Sequence, residues 1–153
     1  MRKLCLSAIL TLSLTVSSFA LQRQVNDAEL SVQSDLIIHG SVTAVEFVQS
    51  EGDFHVLTRL TVDVDRQMKG ARADQVQLLV PGGELGEFTV KVSDTPEFKL
   101  GDEAIFFLYE KPGYEVHWLY GWEQGALRVE DNQVVARGVS LETMCTRIET
   151  LNR

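Results

Sequence analysis

Residues 56–65 read Val56-Leu57-Thr58-Arg59-Leu60-Thr61-Val62-Asp63-Val64-Asp65. Val56, Thr58, Leu60, Val62 and Val64 fall on one face, and Leu57, Arg59, Thr61, Asp63 and Asp65 on the other. A period of two marks a half-buried β-strand, because successive side chains point to opposite sides of the pleat. The pattern extends in both directions. Upstream, Leu36, Ile37, Ile38, Val42, Val45, Phe47 and Val48 form a β-branched, apolar stretch broken by Gly40. A glycine inside a strand marks a bulge or a tight coil. Ser50-Glu51-Gly52-Asp53 then reads as a turn. Downstream, Val76, Leu78 and Val80 alternate, Pro81-Gly82-Gly83-Glu84 reads as a turn, and Phe88, Val90 and Val92 alternate again.

Ala104-Ile105-Phe106-Phe107-Leu108-Tyr109 is apolar on both faces, which predicts a central strand covered on both sides. Lys111-Pro112-Gly113 turns the chain into a strand from Tyr114 to Tyr120, with Tyr114, Val116, Trp118 and Tyr120 on one face. A weaker hairpin runs from Ala126 to Val129, through Asp131-Asn132, to Val134–Ala136. The period then changes. Leu141, Met144, Cys145, Ile148 and Leu151 recur at helical spacing behind Ser140, an N-cap residue, so a helix is expected over about 140–151. Residues 21–34 are polar, with Asn26 or Asp27 placed to cap a short helix carrying Leu30. The expected class is mainly β: a small closed or partly open barrel, residues 35–153, ending in a helix. A β-sandwich is the alternative.

The first 20 residues have a different character. Met1-Arg2-Lys3 is basic, Leu4 to Val16 is apolar apart from Ser and Thr, and Ser18-Phe19-Ala20 is a small-x-small cleavage pattern. This is the layout of a secretory signal peptide, so a periplasmic or secreted product beginning at Leu21 is expected. The apolar run is shorter than a membrane span needs. Loss of Arg2 and Lys3 takes the formal net charge from −8 to −10. Such an acidic chain is repelled by phosphate backbones, which argues against nucleic acid, and by anionic lipid surfaces. Of the two cysteines, Cys5 leaves with the signal and Cys145 remains alone, so no internal disulfide is expected.

The punctuation resembles that of a five-stranded OB-type barrel of the netrin-like, tissue-inhibitor-of-metalloproteinase kind. Ser34 to Val42, with its central Gly40, resembles the opening strand. Thr61-Val62-Asp63-Val64-Asp65 to Met68-Lys69-Gly70 resembles the second strand and its exit. Leu100-Gly101-Asp102-Glu103 leading into Ala104–Leu108 resembles the glycine-then-acid approach to an apolar strand. The stretch from Pro81-Gly82-Gly83 to Glu103 is also similar to small secreted bacterial proteins. The resemblance covers about residues 34–130 and implies a barrel that binds proteins, proteases among them, through its loops. The animal inhibitors chelate the protease zinc with a cysteine at the mature N-terminus. Leu21 stands there in this chain, so that mechanism does not carry over.

No catalytic or metal motif emerges. His39, His55 and His117 are far apart and lack ligand spacing, so no metal or cofactor is expected. Asp63 and Asp65 share the wet face of a strand, where solvent explains them. Pro81-Gly82-Gly83 with Gly86 lacks the helix start and lysine of a phosphate cradle. There is no Gly-x-Ser-x-Gly elbow, and Cys145 on an apolar helical face makes a poor nucleophile. The richest candidate is aromatic: Tyr114, His117, Trp118, Tyr120 and Trp122 fall within nine residues. Trp and Tyr combine apolar area with a polar tip and suit binding faces. The expectation is a non-enzymatic binding module for an extracytoplasmic protein, with protease modulation as one form. Glycan binding through residues 114–122 is the alternative. The candidate binding residues are Gly82, Gly83, Glu84, Tyr120 and Trp122, supported by the Glu51–Asp53 turn.

Overall fold

The computed structural model describes residues 24–52 and 54–153. The expected signal peptide over residues 1–20, the mature start at Leu21, Cys5 and Asp53 lie outside the described residues.

Asn26 caps a short helix α1 (Asp27–Gln33), its side chain accepting from the Glu29 amide at 2.8 Å. Two long antiparallel strands follow, β1 (Leu36–Gln49) and β2 (Val56–Lys69), then β3 (Gln75–Pro81). A two-stranded ribbon, β4 (Gly83–Leu85) and β5 (Phe88–Val90), leads away from them. The chain returns as β6 (Glu103–Glu110) and β7 (His117–Leu119). It ends with the short strands β8 (Ala126–Glu130), β9 (Gln133–Val134) and β10 (Val139–Ser140) and the helix α2 (Leu141–Leu151).

The sheet runs β1-β2-β3-β7-β6, with β6 pairing back onto β1. The strands therefore close into a five-stranded barrel, mixed because β3 and β7 run parallel. Strands β8 to β10 extend the sheet from β6. Of the closed or partly open barrel expected, the chain forms the closed one, OB-like as the resemblance implied and with its C-terminal helix, and not a sandwich.

Gly40 makes the closure possible. Residues 37–41 of β1 are paired on both edges, with β2 on one side and β6 on the other. A Cβ at Gly40 would sit 2.1 Å from the Asp63 carbonyl oxygen. Around it the β1–β2 register shifts three times, leaving Met68 and Asp65 on β2 and Thr43 on β1 without partners across the ladder. These bulges coil the ribbon and re-aim side chains. Leu60 and Val62 of β2 point into the barrel, whereas Arg66 and Met68 face α2 and its core.

Two cores result. Inside the barrel lie Leu36, Ile38, Val42, Leu60, Val62, Leu78, Val80, Phe106 and Leu108. Outside it, under the helices, lie Leu30, Ile37, Ile105, Phe107, Leu127, Met144, Cys145 and Ile148. The doubly apolar β6 serves both, sending Phe106 inward and Phe107 outward. Ser140 caps α2 by accepting from the Thr143 amide at 3.2 Å. Arg137 and Arg147 both reach Asp27, at 2.8 and 3.3 Å, tying α1 to the C-terminal region.

Several boundaries differ from the sequence reading. Pro81-Gly82-Gly83-Glu84 is not a reversal. Pro81 ends β3, Gly82 and Gly83 bend the chain, and Glu84 lies in β4, with the turn at Gly86-Glu87. A Cβ at Gly83 would meet the Phe47 ring at 2.5 Å, so glycine is needed for the ribbon to cross β1. The Tyr114–Tyr120 strand shrinks to His117–Leu119, because Tyr114 turns back onto Lys111. The second arm of the last hairpin is a single helical turn at Val135–Arg137 beyond β9. Asp131 and Asn132, both at positive φ, form its type I′ turn. Leu151 is exposed at the end of α2.

Cys145 is wholly buried, and burial pushes its thiol pKa up. Since the thiolate is the reactive form, a disulfide-exchange reagent at neutral pH will label Cys145 only as the chain unfolds. Absorbance of the released thiolate should follow the denaturation curve. Rapid stoichiometric labelling of the native protein would contradict the packing of α2.

Candidate functional site

The candidate residues separate into two cavities that share Pro81 as a wall. Gly82, Gly83 and Glu84 line the first, at the barrel mouth. Tyr120 and Trp122 line the second, an aromatic groove of about 500 Å³ on the outer wall.

The aromatic and basic side chains of the groove come from four segments, with Gln33, Asp35 and Pro81 completing its lining. Phe54 comes from the β1–β2 connection, Trp118 from β7, Tyr109 and Lys111 from the end of β6, and Tyr120 and Trp122 from the chain beyond β7. Trp118 is only 4% exposed and packs with Leu57 and Leu79, the outward residues of β2 and β3. Tyr114 meets its ring edge-on at 5.0 Å, and the Lys111 ammonium lies 4.2 Å from its centroid. Trp118 is therefore a floor. Its indole N–H is buried without a hydrogen-bond partner among the described residues. Buried polar groups are rarely left so, and each needs a reason.

Trp122 is the rim. It is 44% exposed, and Phe54 meets it edge-to-face at 5.9 Å. Its φ is +57°, beside Gly121 at +68°. The left-handed region is an outlier for a bulky side chain, so the surrounding structure must impose it. The imposing contacts are visible: the Glu123 amide donates to the Asp94 carbonyl at 2.8 Å, and a Cβ on Gly125 would overlap the Tyr120 carbonyl. Tyr109 and Tyr120 pack at 87°, 6.1 Å apart. Burial holds the Tyr109 phenol above its ordinary pKa, so it stays a neutral hydroxyl at the groove wall. The Glu51–Gly52 turn reaches the same end of the barrel, where a Cβ on Gly52 would lie 3.0 Å from the Tyr114 hydroxyl.

A third cluster had no signal in the sequence. His39 is buried on β1, and its Nε2 lies 2.6 Å from Glu103 Oε1. His39 and Cys145 line one cavity of about 240 Å³ with Arg66, Ser140 and Glu142. These residues are 106 positions apart at the extremes, so only the β1–α2 packing brings them together. The raised thiol pKa of Cys145 opposes nucleophilic chemistry there. Arg66 is engaged by Glu142 at 2.6 Å and Glu149 at 2.8 Å, and the Glu142 hydrogen bond raises its pKa. Asp63 is exposed and accepts from Gln75 at 2.8 Å.

Among the described residues no three of His, Cys, Asp or Glu converge as metal ligands, and no helix is long and apolar enough to cross a membrane. Compared with known proteins, the chain matches no family model and no curated protein.

Proposed function

We propose that this chain is a non-enzymatic binding module that works outside the cytoplasm and docks a partner protein on its aromatic groove. One observation carries the reading: Trp122 is held exposed, in a strained backbone conformation, at the rim of a groove floored by Trp118. Strain that the surrounding structure maintains is a pointer to function. An exposed Trp and half-buried Tyr side chains beside a desolvated floor, with polar groups around them, match the anatomy of protein-docking hot spots. Lys111, Asp35 and Gln33 supply those polar groups. The export signal expected at residues 1–20 sets the compartment, and the netrin-like resemblance makes a protease the first partner to test.

Glycan binding is the second reading. It is favoured by the unpartnered Trp118 N–H, which a sugar hydroxyl would accept from, and by tryptophan's capacity to stack on sugar rings.

Tagged protein should be cross-linked in its own envelope and culture-fluid extract, and the captured proteins identified by mass spectrometry. One enriched secreted protein, lost from the Trp122→Ala variant, is the expected result. Removing such an anchor should weaken that complex by about 2 kcal/mol or more, roughly thirtyfold. Capture unchanged in Trp122→Ala would remove the groove as the docking surface. Tryptophan fluorescence moved by envelope polysaccharide, with no protein captured, would select the glycan reading.

A further inference from the structure

We propose that the barrel mouth is a separate site for a small, uncharged, mostly apolar molecule carrying one hydrogen-bonding group. The cavity holds about 290 Å³. Ligand pockets run from about 300 to 1,000 Å³ and often occupy barrel mouths, so this one suits a small occupant. Its floor is the barrel core itself, Leu60 and Val80, with Pro81 beside them. Phe47, Val90, Val92 and Phe98 contribute apolar walls.

Small barrels normally fill their interior with side chains. Here residues 91–98, which carry no regular structure, bridge the opening and are held off the floor. Phe98 packs on Phe106 at 5.4 Å, and the Arg128 guanidinium lies 4.9 Å over the Phe98 ring. Arg128 is fixed in turn by Asp102 at 2.9 Å and donates to the Glu97 carbonyl. The Asp94 carbonyl is anchored by the Glu123 amide. A bridge tethered at Asp94 and again at Glu97–Phe98 cannot collapse into the space beneath it.

Two observations define the ligand's chemistry. Thr95 lines the cavity, and its hydroxyl oxygen is buried without a partner among the described residues. Thr58, on the opposite wall, already donates to the Gly82 carbonyl at 2.8 Å. A single amine, hydroxyl or carbonyl on the ligand would satisfy Thr95, and leaving a buried hydroxyl unpaired is costly. Charge sets the second limit. Glu84 and Glu97 stand among the lining residues, and Lys91 lies 3.9 Å from Glu97. An anion would meet surplus negative charge, and a cation would lose its hydration against the apolar floor of Leu60 and Val80, so the occupant is neutral.

The test uses two related dyes that brighten in apolar surroundings. N-phenylnaphthylamine is neutral and carries one N–H. Anilinonaphthalene sulfonate has the same aromatic amine plus a negative charge. Saturable, single-site brightening is expected with the neutral dye, and affinity lower by about tenfold or more with the sulfonate. Val92→Trp should fill the cavity and abolish the signal, and Thr95→Val should weaken it severalfold. Trp122→Ala should leave it unchanged, which separates this site from the groove. Thermal melts check that each variant folds, and Thr89→Trp at the rim replaces Val92→Trp if the latter does not. Absence of saturable brightening in the unmodified protein would overturn the proposal. So would brightening that survives both filling variants, or that disappears in Trp122→Ala.

Discussion

Gly40→Ala should lose about 3–5 kcal/mol of folding free energy, at the upper end of what overpacking costs. The added methyl would sit 2.1 Å from the Asp63 carbonyl oxygen and 2.9 Å from Val62 Cγ1. Backbone on that side cannot yield, because β1 is hydrogen-bonded to β2 and β6 at once and the neighbouring position is Ala104 of β6. Relief would require parting one of the two ladders that close the barrel. Domains of this size are stable by only about 5–15 kcal/mol, so the variant should melt roughly 10 °C or more below the parent. Gly86→Ala is the control. Gly86 has φ +61° but a Cβ there meets nothing within 4 Å, so the expected cost is the left-handed strain alone, about 1–2 kcal/mol. Urea melts of both variants check the difference. Equal losses would mean that barrel closure does not depend on Gly40.

Trp118 should separate packing from polarity. Trp118→Ala removes the largest side chain of the cluster that joins Leu57, Leu79 and Tyr114 and supports Lys111. The expected loss is about 3–5 kcal/mol, as for other buried aromatics cut to alanine. Trp118→Phe keeps an aromatic plate under Lys111 and Tyr114 but deletes the unpartnered indole N–H. Removing an unsatisfied buried donor recovers about 1–3 kcal/mol, which offsets most of the lost area. The phenylalanine variant should therefore unfold within about 1.5 kcal/mol of the parent. If it falls as far as alanine, the N–H has a protein partner and the floor of the groove is not open to a ligand. If it is stable yet captures less partner, the donor is used in docking.

Both results bear on how the chain encodes its site. The strands of the barrel wall were legible because each is a local pattern: alternation in β2 and β3, double apolarity in β6, helical spacing after Ser140. Those patterns follow from the period of the backbone and require no knowledge of neighbours. Turn chemistry was less reliable. Pro81-Gly82-Gly83 looked like a reversal because glycine and proline usually mark one. Gly83 is there to let the ribbon pass Phe47 and Thr58, a demand set by residues more than 20 positions away.

The residue types of the site were readable, but their grouping was not. Tyr120 and Trp122 stand out by composition alone, and Phe54, 68 residues before Trp122, completes their groove only after β1 and β2 have curled into the wall. The register shifts near Gly40 decide that curl and turn Arg66 and Met68 toward α2. His39, Glu103 and Cys145 meet for the same reason. By itself the sequence determined the runs of β2, β3 and β6 and the apolar face of α2, since these depend on neighbours along the chain. Only the tertiary structure decided which faces became barrel interior, groove or helix bed. Closure, bulges and the height of the 91–98 bridge depend on contacts between residues distant in sequence, which no local pattern records.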